Sequence, residues 1–220
     1  MPISLILFGA TGMVGQGVLR EALLDPDVGR VLTVGRTATG QQHPKLRELV
    51  VPDLFDYSAV TADLAGYDAC IFTLGVSAGG MTEEAYSHMT YDLTMAAATA
   101  LARLNPDMAF VYVSGQGTDS TERGRVMWAR VKGRTENALL KLFPRAAMFR
   151  PGFIQPLHGI RSKTKAYRIF YQLMAPVLPL LRRLFPRQIT TTEGLGRAML
   201  AAAKGRAPKR VLEMRDITAM

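Results

Sequence analysis

The sequence predicts a doubly wound α/β domain, a parallel sheet covered by helices on both faces. Three observations carry that expectation. Short apolar runs alternate with longer helix-like stretches. Most of the runs are continuously apolar rather than alternating, as in strands buried on both sides. A glycine-rich turn, LFGATGMVGQG (7–17), follows the first run and opens the first helix. With 220 residues, 48% of them hydrophobic, the chain can fill one core without splitting, so a single domain over 1–220 is expected.

Taken in order, ISLILF (3–8), RVLTV (30–34), RELVV (47–51), ACIFTL (69–74), MAFVYVS (108–114), AAMFR (146–150) and RVLEM (210–214) read as strands. Helices are expected near 13–24, 58–65, 83–104, 122–143 and 192–204. Asp25-Pro26 closes the first, and Thr190 with Glu193 three residues later reads as a capping box for the last. Strands alternating with helices of this length call for right-handed βαβ crossovers. The stretch 155–188, rich in Pro, Arg and bulky apolar residues, breaks the rhythm and is expected as a small C-terminal elaboration over the substrate side of the cleft. There is no internal repeat or low-complexity tail.

Composition narrows the setting. No apolar run reaches the roughly 18 residues of a membrane span; FYQLMAPVLPLL stops at 12 and holds Pro176 and Pro179. The first strand reaches the glycines within nine positions, so no cleavable presequence is expected. The single cysteine, Cys70, lies in an apolar run and reads as core, which excludes a disulfide framework and fits a reducing compartment. A cytoplasmic location is therefore expected. The formal charge is +9, concentrated where Asn137–Thr192 contains no Asp or Glu. An anionic ligand, an acidic partner or a membrane surface fits that charge at least as well as nucleic acid, for which no zinc spacing or RNA-binding aromatic signature is present.

Gly9, Gly12 and Gly15 each have a separate reason. Gly9 turns the chain off the strand, Gly12 lets backbone approach a pyrophosphate, and Gly15 lets helix and sheet pack closely. The helix N-terminus, with Thr11, Met13 and Val14 around it, offers unpaired N–H groups to the anion. This is a Rossmann-type dinucleotide site, the alternative being a turn without a ligand. After the second strand, where an NAD site usually has a carboxylate, this chain has Gly35 and Arg36, which suits the 2′-phosphate of NADP; a solvated arginine is the plainer reading. Asp53 and Leu54 fall near the adenine, and Leu74 and Gly75 end the fourth strand at the same crevice.

The fifth strand ends in Ser114, and WARVKGRTE (128–136) follows on a helix with Trp128 and Lys132 four apart on one face. In these residues, in GATGMVG and in RPG (150–152), the chain resembles the atypical and extended branches of the short-chain dehydrogenase/reductase superfamily, and within them the NAD(P)-binding NmrA-like and HTATIP2-like group. The resemblance spans roughly 3–204 and is loosest in the C-terminal third. It implies that Ser114 holds a substrate oxygen, that Lys132 binds the nicotinamide ribose and activates a neighbouring phenol, and that Pro151 lies on the cofactor side. The phenol belongs at position 128, where this chain has tryptophan, whose indole donates an N–H but does not titrate usefully.

Tyr91, on the helix after the fourth strand, is the sequence's best substitute acid, ahead of Tyr86; Tyr112 lies deeper in the sheet. His43, His88 and His158 have no metal-ligand spacing, so no metal is expected. The basic segment, with Phe153, Ile169, Phe170, Leu173 and Met174 as an apolar wall, suggests a bulky or anionic small-molecule substrate, with peripheral membrane contact as an alternative. The sequence thus describes an NADP-binding oxidoreductase or epimerase-like protein, or else a catalytically silent dinucleotide-binding regulator, redox sensor or assembly protein. It leaves the oligomeric state open.

Overall fold

A computed structural model describes residues 2–160 and 188–220. Seven strands, β1 (Ile3–Phe8), β2 (Val28–Gly35), β3 (Leu46–Val50), β4 (Ala69–Phe72), β5 (Ala109–Val113), β6 (Ala146–Arg150) and, after a small side sheet, β9 (Val211–Glu213), form one sheet in the order β3-β2-β1-β4-β5-β6-β9. All six pairings are parallel. The side sheet pairs β7 (Phe153–Gln155) with β8 (Ile189–Thr191), also parallel. The chain winds outward from β1 to β3, then restarts on the other side of β1 at β4. The connections leaving the carboxyl ends of β1 and β4 therefore run to opposite sides, leaving between them the crevice in which such sheets bind ligands.

The central strands are largely apolar because both faces are covered. Leu5 and Leu7 of β1 point to one layer with Val18, Leu19 and Ala22 of α1 (Met13–Leu24). Ile6 and Phe8 point to the other, which includes Leu101, Phe110 and Phe143. In the first layer, α1 crosses a C-terminal helix at glycine. A Cβ on Gly17 would lie 2.5 Å from the Thr192 carbonyl oxygen, so only glycine permits that approach.

The remaining helices depart from expectation in instructive ways. The 58–65 segment is a single 3₁₀ turn, Ser58–Val60, running into α2 (Thr61–Leu64). The expected 83–104 helix is α3 (Glu83–Ser87), a π-type turn (His88–Asp92) and α4 (Leu93–Leu104). The helix expected over 122–143 is α5 (Met127–Leu142) and starts later. Upstream of it, the Asp119 carboxylate accepts from the amides of Thr121, Arg123 and Gly124 and holds them out of a helical ladder. Helix α6 (Thr192–Ala203) is capped by Thr191, whose hydroxyl accepts from the Gly194 amide at 2.9 Å. Thr190 is buried inside β8 and Glu193 pairs with Arg197 and His158, so the expected capping box is replaced by a cap one residue later. A short helix, α7 (Met214–Ile217), closes the described chain, with Glu213 and Asp216 as its capping box. Residues 161–187 of the basic elaboration, including Ile169, Phe170, Leu173 and Met174, lie outside the described residues.

Candidate functional site

The glycine turn is built for backbone approach. Gly9 has φ +81°, and a Cβ there would meet Thr73 Oγ1 at 2.7 Å. Gly12 donates its amide to Gly9 O at 2.9 Å and stands at the head of α1, where no side chain caps the helix and the first turn carries no acid. A Cβ on Gly15 would lie 2.0 Å from Gly9 O. The turn is thereby locked against the helix, while the amides at its head, with Met13 and Val14 next in the chain, form a bare positive helix end suited to an anion. These residues fit the diphosphate of a dinucleotide: the cradle is backbone, and a side chain at Gly9 or Gly15 would destroy it.

Beside this turn lies a cavity of about 400 Å³, lined by Gly9, Thr11, Gly35, Arg36, Leu54 and Leu74 among others. Arg36 has no ion-pair partner among the described residues. Asp53 is exposed and accepts from the Phe55 amide at 2.9 Å, so it shapes its own turn and does not line the cavity. Gly75 likewise lies outside the lining, although Leu74 is in it. A carboxylate shares this wall with Arg36. Glu48 of β3 lines the same cavity and accepts from the amides of Thr39 (2.5 Å) and Gly40 (3.1 Å). Partial burial pushes its pKa up, but hydrogen bonds from Thr39, Gly40 and Thr33 outweigh that and hold it below the usual carboxylate range.

At the far end of the crevice, the end of β5 and α5 bring Ser114 and Lys132 together. Lys132 Nζ donates to the Ser114 carbonyl. Burial pushes this lysine's pKa down to about 8, partly countered by Glu136. Ser114 is buried, and its hydroxyl lies against Glu136 Oε1 and against Phe149 O at 3.1 Å. A hydroxyl has one proton, so with that proton given to the carboxylate Ser114 is left as an acceptor for any further partner. Glu136 is fully buried and also takes Arg150, whose Nε lies 3.1 and 3.2 Å from its two oxygens. Arg150 Nη1 in turn reaches Glu213 at 3.0 Å. Pro151, next along, is buried and its carbonyl accepts from Gln116 at 2.9 Å. The half-buried Trp128 lays its six-membered ring on the turn after β5, with Cη2 3.5 Å from where a Gly117 Cβ would sit.

Tyr91 is not brought to this cluster. The Arg134 guanidinium covers its ring at 4.1 Å, and the tyrosine lines a separate surface cavity with Glu122, Asn137 and Lys141. Tyr86 and Tyr112 are buried, and burial raises the pKa of each. His88 stacks on Phe55 and His158 pairs with Glu193. Among the described residues no group of three or more His, Cys, Asp or Glu is arranged to hold a metal.

Sequence reasoning missed Glu48, Glu136 and Arg150. Glu136 had a signal: it follows Lys132 by four positions in KGRTE and so shares its helix face.

The order of the strands and the glycine turn after the first of them give a Rossmann-type fold of the kind seen in short-chain dehydrogenases/reductases. Solved structures agree. An oxidoreductase of the short-chain dehydrogenase/reductase family from Burkholderia thailandensis superposes with a TM-score of 0.68 at 19% identity, covering 100% of this chain and 94% of that one. The Bordetella bronchiseptica enzyme WbmF in complex with NAD+ gives a TM-score of 0.68 at 15% identity, covering 99% and 76%. No family model matches the chain. Among curated proteins, protein fmp52-2, mitochondrial, of Aspergillus oryzae is 29% identical over 222 residues, covering 96% of this chain and 93% of that protein. Leucinostatins biosynthesis cluster protein T of Purpureocillium lilacinum is 32% identical over 140 residues, which span 51% of its length. The cytoplasmic expectation is corrected by these relatives, since those named FMP52 are described as mitochondrial. Among the described residues no helix is long and apolar enough to cross a membrane.

Proposed function

We propose that this chain is an atypical member of the short-chain dehydrogenase/reductase superfamily that binds NADP and reduces a small organic substrate. The observation that carries the reading is the uncapped head of α1 opening beside a cavity that holds Arg36, which has no ion-pair partner among the described residues. The amides of the 9–15 turn would take the diphosphate, Arg36 the 2′-phosphate, and Leu54 and Leu74 the adenine. Lys132 would hold the ribose hydroxyls on the nicotinamide side, near Pro151. The bound nicotinamide supplies the hydride. What this chain adds is placement and proton handling. Lys132, with a pKa of about 8, is the side chain at the crevice able to hold and release a proton near neutral pH. A mitochondrial setting is proposed from the relatives' names. The basic charge around 155–188 supports a bulky or anionic substrate.

A second reading is favoured by two specific observations: indole stands where a phenol would, and the Ser114 proton is turned inward to Glu136. Neither group then donates a titrating proton to a substrate oxygen, as suits a silent dinucleotide-binding regulator. Titrating the protein with NADPH while following the emission of Trp128, its only tryptophan, tests binding at this end of the crevice. A saturable change, together with NADPH oxidation in the presence of aldehydes or ketones, supports the reductase. A saturable change without turnover supports the silent reading, and no change beside calorimetrically proven binding removes Trp128 from the site.

A further inference from the structure

Arg36 is exposed and stands on a loop, which raises the question of what aims it. The loop leaves β2 at Gly35, whose carbonyl is fixed by the Val51 amide at 3.0 Å. Four consecutive residues, Arg36 to Thr39, then line the 400 Å³ cavity before the chain turns away at Gly40, which has φ +74° and nothing within 4 Å of a Cβ position. Such an arc has little packing of its own. It is tied at its far end by one side chain, Glu48, whose two carboxylate oxygens take two successive amides: Oε2 that of Thr39 and Oε1 that of Gly40. Glu48 is itself set by the sheet. It sits opposite Thr33 in the β2–β3 register, and the Thr33 hydroxyl lies 3.3 Å from Oε2.

We infer that Glu48 is a positioning residue for dinucleotide preference: by clasping the Thr39 and Gly40 amides it closes the 36–39 arc and presents Arg36 to the 2′-phosphate. The inference rests on the proposed NADP site and adds to it the residue that sets its selectivity. A carboxylate suits the task because it only accepts and so serves two N–H groups at once. The isosteric amide accepts through one oxygen and would turn its own N–H₂ toward the second donor. The negative charge of Glu48 would oppose a phosphate if it faced the cavity freely. Two amide dipoles and a hydroxyl are spent on it instead, leaving Arg36 as a charge of the wall without an ion-pair partner among the described residues.

The test is calorimetry of NADPH and NADH binding to wild type, E48Q, R36A and the double variant, with hydrogen exchange of the 36–45 segment in the nucleotide-free proteins. E48Q is expected to speed exchange at Thr39 and Gly40 and to weaken NADPH about tenfold, in line with the loss of a hydrogen bond to a charged group. NADH should weaken far less, and in the R36A background E48Q should have little further effect on NADPH. If E48Q fails to fold, E48D, which keeps the charge but falls a methylene short of spanning both amides, gives the same readouts. The inference is overturned if the variant binds NADPH as tightly as wild type or tighter. Equal weakening of both nucleotides, or full additivity with R36A, also overturns it, because Glu48 would then only shape a common wall. Wild-type protein that binds neither nucleotide overturns the proposed site itself, a result separable from all of these.

Discussion

Replacing Lys132 with methionine should make the protein more stable at neutral pH. The lysine's pKa falls from 10.5 to about 8 through burial. At ~1.4 kcal/mol per unit, keeping it charged in the fold costs about 3 kcal/mol. Methionine has a similar unbranched shape and carries no such cost, but gives up the hydrogen bond to the Ser114 carbonyl, a loss of about 1–2 kcal/mol. The balance is a gain of about 1–2 kcal/mol for K132M at pH 7. The pH dependence has a definite sign. Between about 8 and 10.5 the unfolded chain holds the proton that the fold has released, so wild-type stability rises with pH across that window relative to K132M. Below the window the cost is fully present. Urea unfolding of both proteins at pH 7 and pH 10 measures it. K132M should lead at the lower pH and lose that lead at the higher. A variant less stable than wild type by the same amount at both values would refute the reasoning, since Lys132 would then be an ordinary structural contact. A lysine kept at such a cost fits a site retained for function.

The G15A variant should lose nucleotide binding and about 3 kcal/mol of stability, because its Cβ would sit 2.0 Å from Gly9 O; calorimetry beside a thermal melt reads both. W128Y should raise NADPH-dependent reduction across a panel of aldehydes by about 100-fold if the phenol is the missing acid; no gain anywhere favours the silent reading. E136Q should cost about 3 kcal/mol, because it leaves Arg150 without its buried partner. It should also move the Lys132 pKa further below about 8, since Glu136 now pulls it upward; NMR titration of the lysine side chain follows that shift.

The sheet was legible because parallel strands covered on both faces must be apolar on both faces, and β1, β4 and β6 read that way apart from Ser4 and Arg150. Helix α1 was legible to its last residue because Gly12 and Asp25-Pro26 punctuate it. The π-type turn at His88–Asp92 was not, since a continuous helical pattern looks the same whether its hydrogen bonds run to the fourth or fifth residue. The late start of α5 was hidden in one aspartate, whose preference for the three amides at 121, 123 and 124 shows only once the loop is folded.

Within the site, the glycine turn followed from its place after the first strand, whereas Ser114 and Lys132 were named only through the resemblance to short-chain dehydrogenases/reductases. Glu48 followed from neither, because its partners lie eight and nine residues away and meet it only through the β2–β3 register. Tyr91 shows the opposite failure. Its position in sequence suggested the crevice, but its ring is covered by Arg134 of the neighbouring helix, which helical spacing alone does not reveal.

Calorimetry on folded protein stripped of nucleotide tests the central claim most directly. The account predicts one saturable site that takes NADPH more tightly than NADH and is abolished by G15A. Heats that stay at the level of dilution for both nucleotides, up to millimolar concentration, would contradict it.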